Sequence, residues 1–183
     1  MRGLLMTTGN SMAFRYGDNM IFEWIRTILI LPANVLIFMP ALVLYLAGYR
    51  WTLNHPALLA LGGVLLILGL LLAGWTMRLF AVKGKGTAAP WNPPKNLVVS
   101  GPYRHVRNPM ITSVLTMLLA EALLLNTWWC FGLFVLFTLG NMIYFPLFEE
   151  KDLEKRFGAS YLEYKHHVPR WIPRLTPWNP TKA

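Results

Sequence analysis

Four long apolar runs divide the chain, and polar segments separate them. A helix of about 20 apolar residues is long enough to cross the ~30 Å hydrocarbon core of a bilayer. The pattern therefore predicts an all-α integral membrane protein of about four transmembrane helices. The predicted spans are Ile21 to Gly48, Ala57 to Val82, Met110 to Leu125 and Trp128 to Phe148.

Local signals within these runs refine the prediction. Pro32 and Pro40 interrupt the first run, and a kink is expected there. Asn126-Thr127 alone separates the last two runs, which predicts a tight helical hairpin. The second run contains four glycines, which either allow a neighbouring helix to approach closely in lipid or are merely tolerated: Gly62, Gly63, Gly69 and Gly74.

Two polar segments complete what we interpret as a single domain over residues 1–183. Loop 83–109 contains five basic residues, five prolines and no acidic residue, and it is too long for a simple connector. The tail, residues 149–183, is predicted to continue the fourth helix to Phe157, to break at Gly158 and to restart at Ser160. Prolines preclude regular helix after residue 168.

Composition and charge support a membrane location. The chain is 55% hydrophobic and 14% charged, whereas soluble domains carry about 25% charged residues. The net charge is +9, and most basic residues lie in loop 83–109 and the tail. An excess of basic residues marks cytoplasmic segments, so we expect both termini in the cytoplasm, and a bacterial inner membrane or an endomembrane as the location.

The same composition argues against several partners. No basic stripe interleaves with stacking aromatics, so we predict a lipid bilayer and no nucleic acid as partner. Cys130 is the one cysteine, which excludes an intramolecular disulfide. The adjacent His166 and His167 are interpreted as a surface pair, and no metal site is predicted.

The hairpin brings two chemically rich segments to the same membrane surface. Arg107 and Asn108 precede its first arm, and Glu149 and Glu150 follow its second, so we expect them to lie close together. Arg suits a carboxylate or phosphate, and Glu accepts hydrogen bonds from a diol. Aromatic residues nearby could cover a flat ring or a cation: Tyr103, Trp91 and Trp171. S-adenosylmethionine has all these groups, and a nicotinamide dinucleotide has most of them.

Each of these residues also has a structural explanation. Basic residues at a helix start can simply enforce topology, and Glu149 with Glu150 can form a solvated face. Glu121 lies inside the third apolar run, where a carboxylate is a functional hypothesis by default. Because it is near the end of that run, it can equally reach interfacial water.

Residues Leu97 to Pro173 resemble the bacterial branch of the isoprenylcysteine carboxyl methyltransferase family, and more distantly the phospholipid N-methyltransferases. The resemblance covers about half of the chain and depends on the order and spacing of several short pieces. These are Gly84-Lys85-Gly86-Thr87, Pro90, Leu97-Val98, Ser100 to Arg104, Arg107 to Met110, Glu149-Glu150, Phe157-Gly158, Tyr161, Tyr164 and Val168-Pro169-Arg170.

The resemblance implies a site for S-adenosylmethionine between loop and tail. Asn108 stands where the family usually has His, and Ile111 where it has Tyr. Asn still donates a hydrogen bond but carries no charge. The implied donor-binding residues are Lys95, Asn96, Leu97, Val98, Tyr103, Arg107, Asn108, Pro109, Met110, Ile111, Glu149 and Glu150, and Glu150, Arg107 and Tyr103 are the catalytic candidates.

The leading hypothesis is methyl transfer from S-adenosylmethionine to a lipophilic or small membrane-accessible carboxylate, thiol or amine. A base for an amine or thiol could be Glu150, Glu121 or Tyr103. The resemblance also implies an Arg shortly before the acidic pair, which in the eukaryotic carboxyl methyltransferases is thought to hold the substrate carboxylate. Residues 143–148 contain no Arg, which argues against a prenylcysteine acceptor. Two alternatives stay open: an NADPH-dependent sterol-type membrane reductase, and a non-enzymatic four-span lipid-binding or assembly protein.

Overall fold

Five helices make up the computed structural model, which describes residues 22–50 and 55–180. These residues form no strand. A 3₁₀ turn, Gly101–Arg104, lies in the loop between the second and third helices. The helices are α1 (Phe22–Leu46), α2 (Pro56–Gly84), α3 (Pro109–Leu125), α4 (Trp128–Phe157) and α5 (Ala159–His167).

Three of these helices are long and apolar enough to cross a membrane, and the fourth apolar helix is shorter. The mean hydropathy of α1, α2 and α4 is 2.3, 2.6 and 1.8, and few of their residues are buried. The 17-residue α3 is instead buried along most of its length, with Leu118 and Ala120 almost inaccessible. The prediction of an all-α membrane protein of about four spans is confirmed, with α3 as the inner helix.

Close contact between α2 and α3 depends on two glycines. A Cβ at Gly62 would lie 2.8 Å from Leu124 Cγ, and one at Gly69 would lie 2.5 Å from Met117 Cγ. These distances are too short for any side chain, so glycine lets the helices approach. Gly63 and Gly74 face open space. Two of the four glycines therefore serve packing against α3.

Widened π-helical turns lie next to prolines in α1 and α4. In α1 the turn covers Asn34–Phe38, between Pro32 and Pro40, and the helix continues through it. A second one, Phe145–Glu149, includes Pro146 and precedes the acidic pair in α4. Helix α4 then runs on to Phe157 as predicted.

The tight hairpin between α3 and α4 turns at Asn126, whose φ of +46° is left-handed. The Thr127 hydroxyl accepts a hydrogen bond from Trp129 N and so caps α4. Tyr49 donates a 2.5 Å hydrogen bond to Leu125 O, which ties the end of α1 to this hairpin. The start of α3 and the last part of α4 consequently meet at the other end of the bundle.

Candidate active site

The connecting loop, residues 85–108, packs against the end of α2 before it enters α3. Gly101 adopts a φ of +55°, and a Cβ there would lie 3.0 Å from the Trp75 ring. Two residues on, the Tyr103 ring stacks on Phe80 with centroids 5.3 Å apart. These contacts fix the loop at the position where Arg107 and Asn108 lead into α3.

The C-terminal strap, residues 169–178, runs antiparallel to the connecting loop. Its backbone holds the loop at three places along its length. The hydrogen bonds are Arg107 N to Pro169 O at 2.9 Å, Arg174 N to His105 O at 3.0 Å, and Trp178 N to Arg104 O at 3.0 Å. The strap therefore closes one side of the space between α3 and α4.

Side chains reinforce this pairing. Arg104 Nε donates to Trp178 O at 2.8 Å, and its guanidinium also bonds the Asn179 side chain. His105 Nδ1 pairs with Arg174 O at 2.8 Å. His167 stacks on the Trp178 ring, with centroids 5.2 Å apart. Arg104 and His105 are thus used to hold the strap.

Helix α5 contributes a small aromatic core beneath the strap. Tyr161, Tyr164 and Val168 are buried together against Leu97 and other apolar side chains. The Tyr164 hydroxyl donates a 2.7 Å hydrogen bond to the backbone oxygen of Tyr103. Burial raises the pKa of both Tyr161 and Tyr164, so both phenols are neutral at physiological pH.

Glu150 lies at the centre of a cluster with three cations and is almost fully buried. Arg107 Nη1 is 3.1 Å from its Oε1, and Lys165 Nζ is 3.3 Å from its Oε2. Arg170 donates to both oxygens, with Nη2 at 3.0 Å from Oε2. One carboxylate thus joins the connecting loop, α4, α5 and the strap.

The cluster carries surplus positive charge, because Arg107, Lys165 and Arg170 face two carboxylates, Glu150 and Glu154. The Lys165 pKa is raised by its hydrogen bonds to Glu154 and Glu150, and the Arg170 pKa is raised by its hydrogen bond to Glu150. Lys165 and Arg170 are therefore charged at physiological pH. Arg107 is nine-tenths buried, and a buried surplus of charge favours a negatively charged ligand.

Several donors beside this cluster are buried without a hydrogen-bond partner among the described residues. They are the Tyr103 hydroxyl, Arg107 Nε and Asn108 Nδ2, whereas Arg107 Nη1 is paired with Glu150. Burial raises the Tyr103 pKa well above its ordinary value, with Tyr164 adding to the effect, so this hydroxyl keeps its proton. Buried polar groups are rarely left unpaired. Three residues of the predicted donor site, Tyr103, Arg107 and Asn108, thus have hydrogen-bond donors that a ligand could use.

Glu149 differs from its neighbour. It is half-buried, and its carboxylate has no hydrogen bond or ion pair within residues 22–50 and 55–180. The nearby charged residues pair with each other, since Arg156 Nη1 is 3.4 Å from Asp152 Oδ2. Glu149 is therefore the acidic residue of the pair that can accept hydrogen bonds from a ligand.

The other predicted site residues lie on the margins of this cluster. Lys95 and Asn96 are exposed, and their backbone nitrogens both bond Gly84 O, at 2.7 and 3.2 Å. Leu97 and Val98 face the protein interior. Pro109 is fully buried at the start of α3, followed by half-buried Met110 and Ile111. The structure brings Arg107 into contact with Glu150 but leaves Lys95 and Asn96 at the surface.

The phospholipid methyltransferase family model matches residues 57–160, which is more than half of the chain. The chain belongs to the phospholipid methyltransferase family. This confirms the resemblance found in the sequence motifs.

A search of characterised proteins finds a short local match to a thiol methyltransferase. The chain is 46% identical over 44 residues to methanethiol S-methyltransferase 2 of Bradyrhizobium diazoefficiens, a match that covers 22% of this chain and 17% of that protein. The chain thus spans only about a sixth of the length of this curated relative. No solved structure is significantly similar to the chain.

Sequence reasoning missed two residues of the cluster around Glu150, Lys165 and Arg170. Arg170 belongs to the Val168-Pro169-Arg170 piece of the family resemblance, which was the available signal. Lys165 carried no signal beyond its place on α5. Conversely, all three aromatics considered for ring stacking have protein contacts: Tyr103 stacks on Phe80, Trp91 lies under Arg26, and Trp171 packs against Phe145.

Glu121 lies away from the cluster around Glu150. It is twelve residues beyond Pro109 in α3, about 18 Å along the helix axis. Its Oε2 is buried without a hydrogen-bond partner among the described residues. Among residues 22–50 and 55–180, no group of His, Cys, Asp and Glu is arranged to hold a metal ion.

Proposed function

We propose that this protein transfers a methyl group from S-adenosylmethionine to a lipophilic or small acceptor at the membrane surface. The observation that carries the proposal is the row of buried, unused donors beside surplus positive charge. Tyr103, Arg107 and Asn108 supply the donors, and Arg107 with its neighbours around Glu150 supplies the charge. A ligand with a carboxylate and several acceptor oxygens fits this set.

Each residue then has a distinct task. Arg107 and Asn108 hold the carboxylate of the donor, Tyr103 donates to one of its oxygens, and Glu149 accepts from the ribose diol. S-adenosylmethionine supplies a methyl group that its sulfonium already activates, so the protein contributes mainly positioning and exclusion of water.

Glu150 has a positioning task in this proposal rather than that of a base. Arg107, Lys165 and Arg170 occupy its oxygens, and such partners stabilise the ionised form that does not readily take a proton. Glu121 is too distant to act on an acceptor held beside Arg107. The thiolate is the nucleophilic form of a thiol, so a thiol acceptor must lose its proton to water or to a nearby group before or during methyl transfer.

An apolar groove within the membrane supports a lipophilic acceptor. It has a volume of about 430 Å³, within the range of ligand pockets. Tyr144 lies at one end, five residues and about 7.5 Å of helix before Glu149. Exposed side chains at its edge, such as Met39 and Leu136, open the groove towards lipid. It is lined by Val35, Met39, Leu118, Leu133, Leu136, Phe137, Gly140, Asn141 and Tyr144.

The acceptor belongs to one of two classes. The groove favours a lipid with an acyl-type chain and a nucleophilic headgroup, and the methanethiol enzyme among the relatives makes a small thiol the second class to test. The site faces the cytoplasm in this proposal, where S-adenosylmethionine is made, and the membrane is a bacterial inner membrane. The excess of basic residues in the loop and tail supports that orientation.

Calorimetry of the full-length protein in nanodiscs tests the donor. We expect S-adenosylmethionine to bind, and we expect Glu149→Ala to bind it more weakly. Glu163→Ala is the matched control, because Glu163 is an exposed carboxylate on α5. NADPH is titrated in parallel, since tight binding of NADPH without binding of S-adenosylmethionine would identify a reductase.

Turnover is then measured with methyl-labelled donor and two acceptors, a bacterial lipid extract and a short alkyl thiol. Label in either acceptor supports methyl transfer and identifies its class. No donor binding at millimolar concentration, with Glu149→Ala indistinguishable from the wild type, would refute the proposal.

A further inference from the structure

Two large apolar side chains of the strap are highly exposed. Ile172 is 81% exposed and Leu175 is 98% exposed. Isolated apolar residues on a surface are ordinary, but these two lie three residues apart on one short segment. The strap therefore presents an apolar patch that the protein itself does not cover.

This exposure is not the result of a loosely attached tail. Main-chain hydrogen bonds hold Pro169, Arg174 and Trp178 to the connecting loop. Arg170 is bound to the buried Glu150. Ile172 and Leu175 lie between these fixed points, so the backbone holds both side chains outward.

Contacts with α2 and α4 place the strap at the end of the membrane spans. The Trp171 ring, next to Ile172, packs edge-on against Phe145 with centroids 5.5 Å apart. Phe145 is seventeen residues from the start of α4, about 26 Å of helix, and Phe80 is about 36 Å from the start of α2. The loop that pairs with the strap stacks on Phe80. The hydrocarbon core is ~30 Å thick, so both contacts lie near its edge.

Charge on the strap matches a lipid headgroup layer. Residues 168–180 contain no acidic residue, and because Arg170 is bound to Glu150, Arg174 is their cation that can meet headgroups. Basic residues alternating with apolar ones are typical of segments that lie in a membrane interface, where the cations meet anionic headgroups. Trp171 joins the strap to α4 through buried Phe145, and the exposed apolar residues Leu147 and Phe148 follow Phe145 on that helix.

We propose that the strap is a membrane-interface anchor, in which Ile172 and Leu175 insert among the headgroups of the adjacent leaflet. The bilayer covers the patch that the protein leaves exposed. Because the same strap binds Arg107 N through Pro169 and Glu150 through Arg170, lipid contact helps hold the cluster around Glu150 together. This anchor does not depend on the reaction that the site performs.

Fluorescence of labelled full-length protein in phosphatidylcholine–phosphatidylglycerol vesicles tests the anchor. An environment-sensitive fluorophore is attached to Leu175→Cys, and to Ser160→Cys as the control. Ser160 is exposed, and about 18 Å of helix separates Phe145 from the end of α4 just before it. Cys130 is 1% exposed, so the labelled wild-type protein gives the background.

We expect the label at position 175 to emit further to the blue, to lose quenching by aqueous iodide, and to be quenched by nitroxide-labelled lipid. The label at position 160 should show the opposite behaviour. Iodide quenching at position 175 equal to that at position 160 would overturn the proposal. Protection from iodide without quenching by labelled lipid would also overturn it, because a protein surface would then cover the patch.

Discussion

The Tyr164 hydroxyl donates a 2.7 Å hydrogen bond to the backbone oxygen of Tyr103, while the Tyr103 hydroxyl is buried without a partner among the described residues. One phenol thus holds the backbone of the other. The Tyr164 hydroxyl therefore has a structural role, and the Tyr103 hydroxyl is available to a ligand.

Replacing each phenol by Phe should separate these two roles. Tyr103→Phe should keep or slightly raise thermal stability, because it removes an unpaired buried group, and should weaken S-adenosylmethionine binding about fivefold to tenfold. Tyr164→Phe should lower stability by about 1–2 kcal/mol, because it leaves a buried carbonyl unpaired. Thermal unfolding and calorimetry measure the two effects. Equal loss of donor affinity in both variants would contradict a ligand-binding role for Tyr103.

Glu150→Gln should be among the most damaging single changes. It leaves Arg107, Lys165 and Arg170 without their shared carboxylate, and breaking a buried ion pair costs about 3–5 kcal/mol. We expect a clear fall in melting temperature and loss of donor binding. The control is Glu163→Gln, which makes the same charge change on an exposed part of α5. A Glu150→Gln protein as stable as this control would show that the cluster does not hold loop and strap together.

Asn108→His should make donor affinity depend on pH. A histidine with an ordinary pKa of about 6.5 is charged at pH 6 and neutral at pH 8. A charged donor binds a carboxylate more strongly, so we expect S-adenosylmethionine to bind about tenfold more tightly at pH 6 than at pH 8. The wild type should change less, and Asn108→Ala should bind weakly at both pH values. A His variant with no such difference would place the carboxylate elsewhere.

Substitution by Ala should lower the stability of the protein at Gly69 of α2 but not at Gly63. Gly69→Ala puts a methyl group 2.5 Å from Met117 Cγ and should destabilise the protein by about 1–3 kcal/mol. Gly63→Ala enters open space and should be neutral or slightly stabilising, because Ala is the better helix former. Thermal unfolding in one detergent compares them. Similar melting temperatures would mean that α2 and α3 can separate at little cost.

Filling the apolar groove should discriminate between acceptors. Gly140→Phe places a ring in the groove, where Gly140 is part of the wall. We expect the KM for a long-chain lipid acceptor to rise, with donor affinity and turnover of a short thiol unchanged. Gly132→Phe is the control, because Gly132 also faces open space but does not line the groove. An unchanged KM for the lipid would exclude the groove as its binding site.

The membrane fold can be predicted from the sequence because backbone polar groups within hydrocarbon must form their hydrogen bonds inside the protein. Apolar runs must become helices, and a two-residue break such as Asn126-Thr127 permits only a hairpin. The contact of Arg107 with Glu150 follows from that hairpin alone. The contributions of Lys165 and Arg170 do not, since they depend on the path of a short helix and a proline-rich strap without periodic pattern.

The central place of α3 was also hidden in the sequence. Its run is as apolar as the others, yet it is buried where they face lipid. Apolar side chains suit both protein and lipid contacts, so hydropathy cannot separate an inner helix from an outer one. The glycines that face α3, Gly62 and Gly69, were a partial signal.

The pairing of the strap with the connecting loop has a consequence for biogenesis. The strap follows helices α1 to α4 in the chain and is therefore synthesised after them. The site next to Glu150 is complete only after Pro169, Arg174 and Trp178 have left the ribosome and bound the loop. A nascent chain that already spans the bilayer therefore lacks a finished pocket, and the ability to bind the methyl donor arises late in synthesis.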